Sequence, residues 1–134
     1  AISVDAIDIA GNHRGGFIAP GFNAMHQALF GATLIPSLSF GESNSPAPGN
    51  NTASAIANAR LAMLAGLIRE AESVLQDGSA NTRHLIVATG GDAAQVKKIY
   101  PGALVKSELV LDGLALFFDT CKQVNDNKEM DSNA

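Results

Sequence analysis

The 134-residue sequence has no Trp, one Cys and only 5% aromatic residues. A single cysteine excludes an internal disulfide and fits a reducing compartment, so the fold must be held by packing alone. Charge is also sparse, at 16% of residues, with nine Lys and Arg against thirteen Asp and Glu. A net charge of −4 with scattered basic residues argues against nucleic-acid binding. The adjacent pair Lys97-Lys98 reads as part of a solvated helix face. No apolar run approaches the ~20 residues needed to span a bilayer, and no signal-peptide pattern is visible. What remains is a 46% hydrophobic chain, long enough to bury a core within at most one domain.

The first ten residues alternate, with Ile2, Val4, Ala6 and Ile7 interleaved by Ser3, Asp5 and Asp8. Gly11-Asn12 reads as a hairpin turn and Arg14 to Ile18 as the returning strand. The sequence thus opens inside a strand pattern without Met, which predicts the C-terminal part of a longer protein. Gly15-Gly16-Phe17-Ile18-Ala19-Pro20-Gly21 then forms an unusual strand-to-helix corner. Its glycines permit close approach of another chain or a ligand, and its proline suits a first helical turn. Phe22, Met25, Leu29 and Phe30 follow at helical spacing.

Residues 37–51, rich in Ser, Asn, Pro and Gly, read as a loop. Thr52 is the expected N-cap of a long helix ending near Asp77, with Gly78 as its terminator. Ala53, Ala55, Ala57, Ala59, Ala62, Ala65, Gly66 and Ala71 make that helix small-faced. Burial on more than one side, or a subunit contact, is expected of it. His84 to Ala88 lacks alternation and reads as a strand covered on both faces. A Thr89-Gly90-Gly91-Asp92 turn, a helix to about Tyr100, an edge strand over 103–106 and a helix over 109–124 complete the pattern. Cys121, in that last helix, is read as a buried inert thiol. Residues 125–134 read as a disordered polar tail. The order predicts an α/β fold with a mixed sheet flanked by helices.

Chemistry is harder to find. Ligands of open α/β sheets bind beyond the carboxyl ends of strands, where Thr89, Gly90 and Gly91 fall. The same residues also make an ordinary strand-to-helix turn, and neither phosphate-loop nor dinucleotide spacing is present. Asp5 and Asp8 fall on opposite faces of their strand by parity, so they do not form an acid–base pair. His13, His26 and His84 lack metal-ligand spacing and read as surface or structural. Ser39, Ser43 and Ser45 lack a nucleophile-elbow context. No catalytic residue and no metal ligand emerges.

Five segments in order nevertheless resemble the C-terminal half of type III pantothenate kinases, including their Bvg accessory factor branch. These are Ala1-Ile2-Ser3-Val4-Asp5, Gly15 to Gly21 with Met25, Asn51-Thr52 with Ala55-Ile56, Ala88-Thr89-Gly90-Gly91, and Leu111-Asp112-Gly113-Leu114. The resemblance implies a ribonuclease-H-like domain over 1–124, of the actin-like ATPase superfamily. It implies a cytoplasmic homodimer that phosphorylates pantothenate with ATP, Mg²⁺ and a monovalent cation, K⁺ or NH₄⁺. It places Thr52 in the pantothenate pocket, and Gly15, Gly16, Gly21, Thr89, Gly90 and Gly91 along the nucleotide cleft. The family's catalytic aspartate and phosphate loops would lie before Ala1. Ala59 and Met63 stand where the family commonly has glycines, which bears on helix packing or the dimer contact. A non-catalytic accessory protein of the same fold is the alternative.

Overall fold

A computed structural model describes residues 1–35, 45–75 and 84–131, with side chains described as far as Lys122. Strands β1 (Ile2–Ile7) and β2 (His13–Ala19) lead into helix α1 (Phe22–Ala32) and the long helix α2 (Thr52–Ser73). Strand β3 (Val87–Ala88), helix α3 (Ala93–Ile99), strand β4 (Leu104–Val105) and helix α4 (Leu109–Asp131) follow. The fold is α/β, as the sequence predicts. The strands form two separate pairs, an antiparallel β1–β2 and a parallel β3–β4, instead of the single mixed sheet expected.

The hairpin follows from its alternation. Ile2, Val4 and Ala6 turn inward, Ala6 almost completely buried, while Ser3, Asp5 and Ile7 are exposed. Ile2 pairs with Ala19, Val4 with Phe17 and Asp5 with Gly16, and a register shift between Ala6 and Ile7 opens the turn. The β3–β4 pair is held by Leu104 N–H to the Ile86 carbonyl and Lys106 N–H to the Ala88 carbonyl, both 2.9 Å.

Helix α2 joins the two pairs. Its Leu61, Leu64 and Ile68 form the buried core with Phe22 of α1. Ile2 and Val4 pack on this cluster from β1, and Ile86, Val96, Ile99 and Tyr100 from the β3–α3 side. Ala57, Ala65 and Ala71 on the same face are buried, which lets neighbouring backbones come close. Ala55, Ala59, Ala62 and Met63 are exposed, so α2 is covered on one side where more had been expected. The Arg60 guanidinium lies 5.5 Å from the centroid of the Phe22 ring, a cation–π contact at the edge of the core. Burial pushes the Tyr100 phenol up, Glu72 adds to the effect, and Arg69 opposes it.

Several boundaries differ from expectation. Helix α2 is capped by Asn51 and ends at Ser73 with Val74 as its C-cap; Asp77 and Gly78 lie outside the described residues. Pro20 stands outside α1, whose N-cap is Gly21 in an extended conformation. Strand β3 is only two residues long, and Leu85 and Val87 are exposed, so one face of this segment is bare where two-sided cover was expected. Cys121 is exposed, correcting its reading as a buried thiol. Helix α4 continues past Val124 to Asp131, so the expected polar tail is helical that far.

Candidate functional site: two glycine corners and a helix start

The first corner is built by cross-strand contact. Gly16 faces Asp5, and a Cβ on Gly16 would run into the Val4 carbonyl and come within 2.8 Å of the Asp5 carboxylate. Gly15, opposite Ala6, has φ +120°, a conformation L side chains rarely adopt. Gly21 is buried, and a Cβ there would lie 3.3 Å from the Ala1 nitrogen. Gly16 and Gly21 therefore bring the beginning of the chain hard against the β2–α1 corner.

Beside this corner, Asp5 Oδ1 lies 2.9 Å from His13 Nε2. Both side chains are more than half exposed, so the pair contributes little beyond local order. Asp8 closes the turn. Its Oδ1 accepts the Ala10 and Asn12 N–H groups at 3.0 and 2.8 Å, and its Oδ2 accepts Asn12 Nδ2 at 3.2 Å. Chiefly the Asn12 N–H, then its side chain, hold this carboxyl below the usual range; the more distant Arg14 adds a little. Asp5, Asp8 and His13 thus make local contacts within the hairpin and its turn; for His13 this matches the reading as surface or structural.

The second corner is the turn between β3 and α3. Gly90 has φ +85° and its carbonyl accepts the Ala93 N–H at 3.2 Å. Thr89 Oγ1 donates to the Ser107 carbonyl at 3.3 Å, tying this turn to the segment that follows β4. Gly91 has open space around its Cα.

Thr52 is exposed at the first residue of α2. The cap is reciprocal: Ser54 N–H donates to Asn51 Oδ1 at 2.9 Å, and Asn51 N–H donates to Ser54 Oγ at 3.3 Å. One turn on, Asn58 Nδ2 donates to the Ala47 carbonyl at 2.7 Å and fastens the incoming loop to the helix. Gly49 presses so closely on Ser54 and Ala55 that no side chain fits there. Sequence reading missed Asn51, Ser54 and Asn58 as the residues that fix Thr52, although the Asn-x-x-Ser spacing is itself a capping signal.

These three groups share α2 as their support, since α2 packs on β1, β2 and α3. The described hydrogen bonds join none of the three to another. Among the described residues, no three His, Cys, Asp or Glu side chains come together as a metal site. No helix among them is long and apolar enough to cross a membrane.

Comparison with known proteins bears on the chain as a whole. A family model described as type III pantothenate kinase matches residues 1–73, ending with the last residue of α2. The type III pantothenate kinase of Cellvibrio japonicus is 32% identical over 120 residues, 89% of this chain and 47% of that protein. That of Psychrobacter arcticus is 33% identical over 127 residues, covering 92% and 48%, respectively. That of Alkalilimnicola ehrlichii is 38% identical over 117 residues, covering 86% and 46%. The chain spans about half the length of these relatives. With the model matching more than half of its residues, this chain belongs to the type III pantothenate kinase family.

Proposed function

We propose that this chain supplies one half of an ATP-dependent kinase that transfers the γ-phosphoryl group of ATP to pantothenate, the first step of coenzyme A biosynthesis. The observation that carries this reading is the match to relatives named as type III pantothenate kinases over roughly nine-tenths of the chain. Within it the chain is the C-terminal, ribonuclease-H-like half of one subunit of a cytoplasmic homodimer. Gly15, Gly16 and Gly21 line one wall of the nucleotide cleft, and Thr89, Gly90 and Gly91 line another. Thr52, held at the head of α2 by the Asn51–Ser54 cap, faces pantothenate.

Phosphoryl transfer needs positioning, charge neutralisation and a base for the acceptor hydroxyl. The described residues offer positioning: open space where a side chain would stand at Gly15, Gly90 and Gly91, and a hydroxyl on a firmly capped helix. The catalytic base and the groups that hold Mg²⁺ and a monovalent cation, K⁺ or NH₄⁺, are assigned to the half of the relatives' length that this chain does not span.

Two measurements test the proposal. The 134-residue chain alone should not phosphorylate pantothenate, and turnover by it would overturn this division of labour. In a full-length polypeptide carrying this sequence, Thr52→Val should raise KM for pantothenate more than KM for ATP. An unchanged pantothenate KM removes Thr52 from the pocket. A full-length polypeptide that binds ATP and pantothenate without turnover would favour an accessory protein instead.

A further inference from the structure

Hydrogen bonds leave the three groups separate, but Arg60 of α2 joins two of them. Its guanidinium lies 5.5 Å from the centroid of the Phe22 ring. Phe22 is buried and directly follows Gly21 at the β2–α1 corner. Thr52, Ile56 and Arg60 stand at i, i+4 and i+8, which makes them one ridge of the helix surface. Eight residues span about 12 Å of helix axis, and the Cα–Cβ bond of a helical residue tilts back towards the N-terminus. Arg60 thus brings a positive charge to the ground between Thr52 and the corner.

The ion pairs among the described residues are His13 with Asp5 and Arg14 with Asp8. Arg60 makes neither an ion pair nor a hydrogen bond with another described residue, and the Phe22 ring is what holds its charged end. A ring face attracts the cation without using up its N–H donors. Those donors form a planar fork that fits a carboxylate with two parallel hydrogen bonds. Arg60 is half-buried, so an oxyanion paired with it is partly withdrawn from water and held more strongly than on open surface.

We infer that Arg60 recognises the carboxylate of pantothenate and is the residue by which α2 selects an anionic acceptor. The inference rests on the pantothenate kinase reading, in which Thr52 faces that acceptor. An elongated acceptor lying along the ridge meets the Thr52 hydroxyl near the head of α2 and the Arg60 guanidinium two turns further on. The carboxylate is assigned to Arg60 in preference to the ATP phosphates for two reasons. Arg60 shares its ridge with Thr52, and nucleotide phosphates have Mg²⁺ to neutralise them, whereas a lone carboxylate needs a cation from the protein.

The test uses a full-length polypeptide carrying this sequence. Arg60→Gln is compared with the parent on pantothenate and on panthenol, which has a hydroxyl in place of the carboxylate, as substrate or as competitive inhibitor. The preference for pantothenate over panthenol should fall by about tenfold or more, the worth of one charged hydrogen-bonded pair. Arg60→Lys, which keeps the charge, should retain more of that preference than Arg60→Gln. Equal losses with both acceptors would make Arg60 a packing residue and overturn the inference. A rise confined to KM for ATP would give the guanidinium to the phosphates and overturn it as well. A parent polypeptide that binds ATP but not pantothenate would overturn the kinase reading itself, and this inference with it.

Discussion

Replacing Gly16 by Ala sets two known effects against each other. In the interior of a strand, Ala is ordinarily favoured over Gly by about 0.5–1 kcal/mol, because Gly loses more freedom on folding. At Gly16 the added methyl meets the Val4 carbonyl and the Asp5 carboxylate, the latter at 2.8 Å and the Asp5 Cα at 3.2 Å. Two of these three atoms are backbone, so a rotamer change cannot relieve the clash; β1 and β2 must separate. Overpacking of this kind costs about 1–3 kcal/mol, and weakening one ladder hydrogen bond adds about 1 kcal/mol. The clash therefore wins, and Gly16→Ala should destabilise the chain by about 2–3 kcal/mol on these scales. Urea unfolding followed by far-ultraviolet circular dichroism reads the loss. Fluorescence of Tyr100, the single Tyr, which packs on the core, reads it independently. Gly113→Ala, in a helix with nothing within 4 Å, should move the other way, stabilising by about 0.5–1 kcal/mol. Asp5→Ala should not rescue Gly16→Ala, because the Val4 carbonyl remains. Full stability in Gly16→Ala, or rescue by Asp5→Ala, would refute the reasoning.

Asn51→Ala removes the acceptor of the α2 cap and should cost about 1 kcal/mol in urea unfolding; a loss no larger than that of Asn50→Ala would show that the cap is idle. Leu61→Ala opens a cavity among Phe22, Leu64 and Ile68 and should cost about 2–5 kcal/mol. Leu116→Ala, on exposed α4, should stay within about 0.5 kcal/mol, and similar losses for the two would place the core elsewhere. Asp8 has a folded pKa below its unfolded one, so its contribution is complete above the unfolded value and is lost as pH falls through the folded value. Asp8→Asn should therefore flatten the acid limb of the stability–pH curve, and an unchanged limb would contradict the Asn12 and Ala10 hydrogen bonds.

The hairpin was legible because period-two alternation and a Gly-Asn turn are both local signals, and the register that pairs Val4 with Phe17 follows from them. The start of α2 was legible to within a residue. Asn51 and Thr52 are both good caps, and the choice fell to Asn51 because Ser54 returns its hydrogen bond. The exposure of Cys121 and Val87 was not legible. A helical or apolar pattern shows that a face wants burial, while burial itself depends on which neighbouring surface is in place. The candidate site was legible only as glycines. Gly16 owes its identity to the Val4 backbone twelve residues away in sequence, a contact no local pattern displays.

The bridging role of α2 also bears on how the chain folds. The β1–β2 hairpin and the β3–α3–β4 unit are each built from residues near one another in sequence, and a hairpin forms in about 1–10 μs. Among the described residues, both pack on the cluster that Leu61, Leu64 and Ile68 of α2 form with Phe22. Docking of α2 is then the step that closes the longest loops and sets the folding rate. Substitutions at these three positions should slow folding, whereas substitutions in the hairpin turn should mainly quicken unfolding.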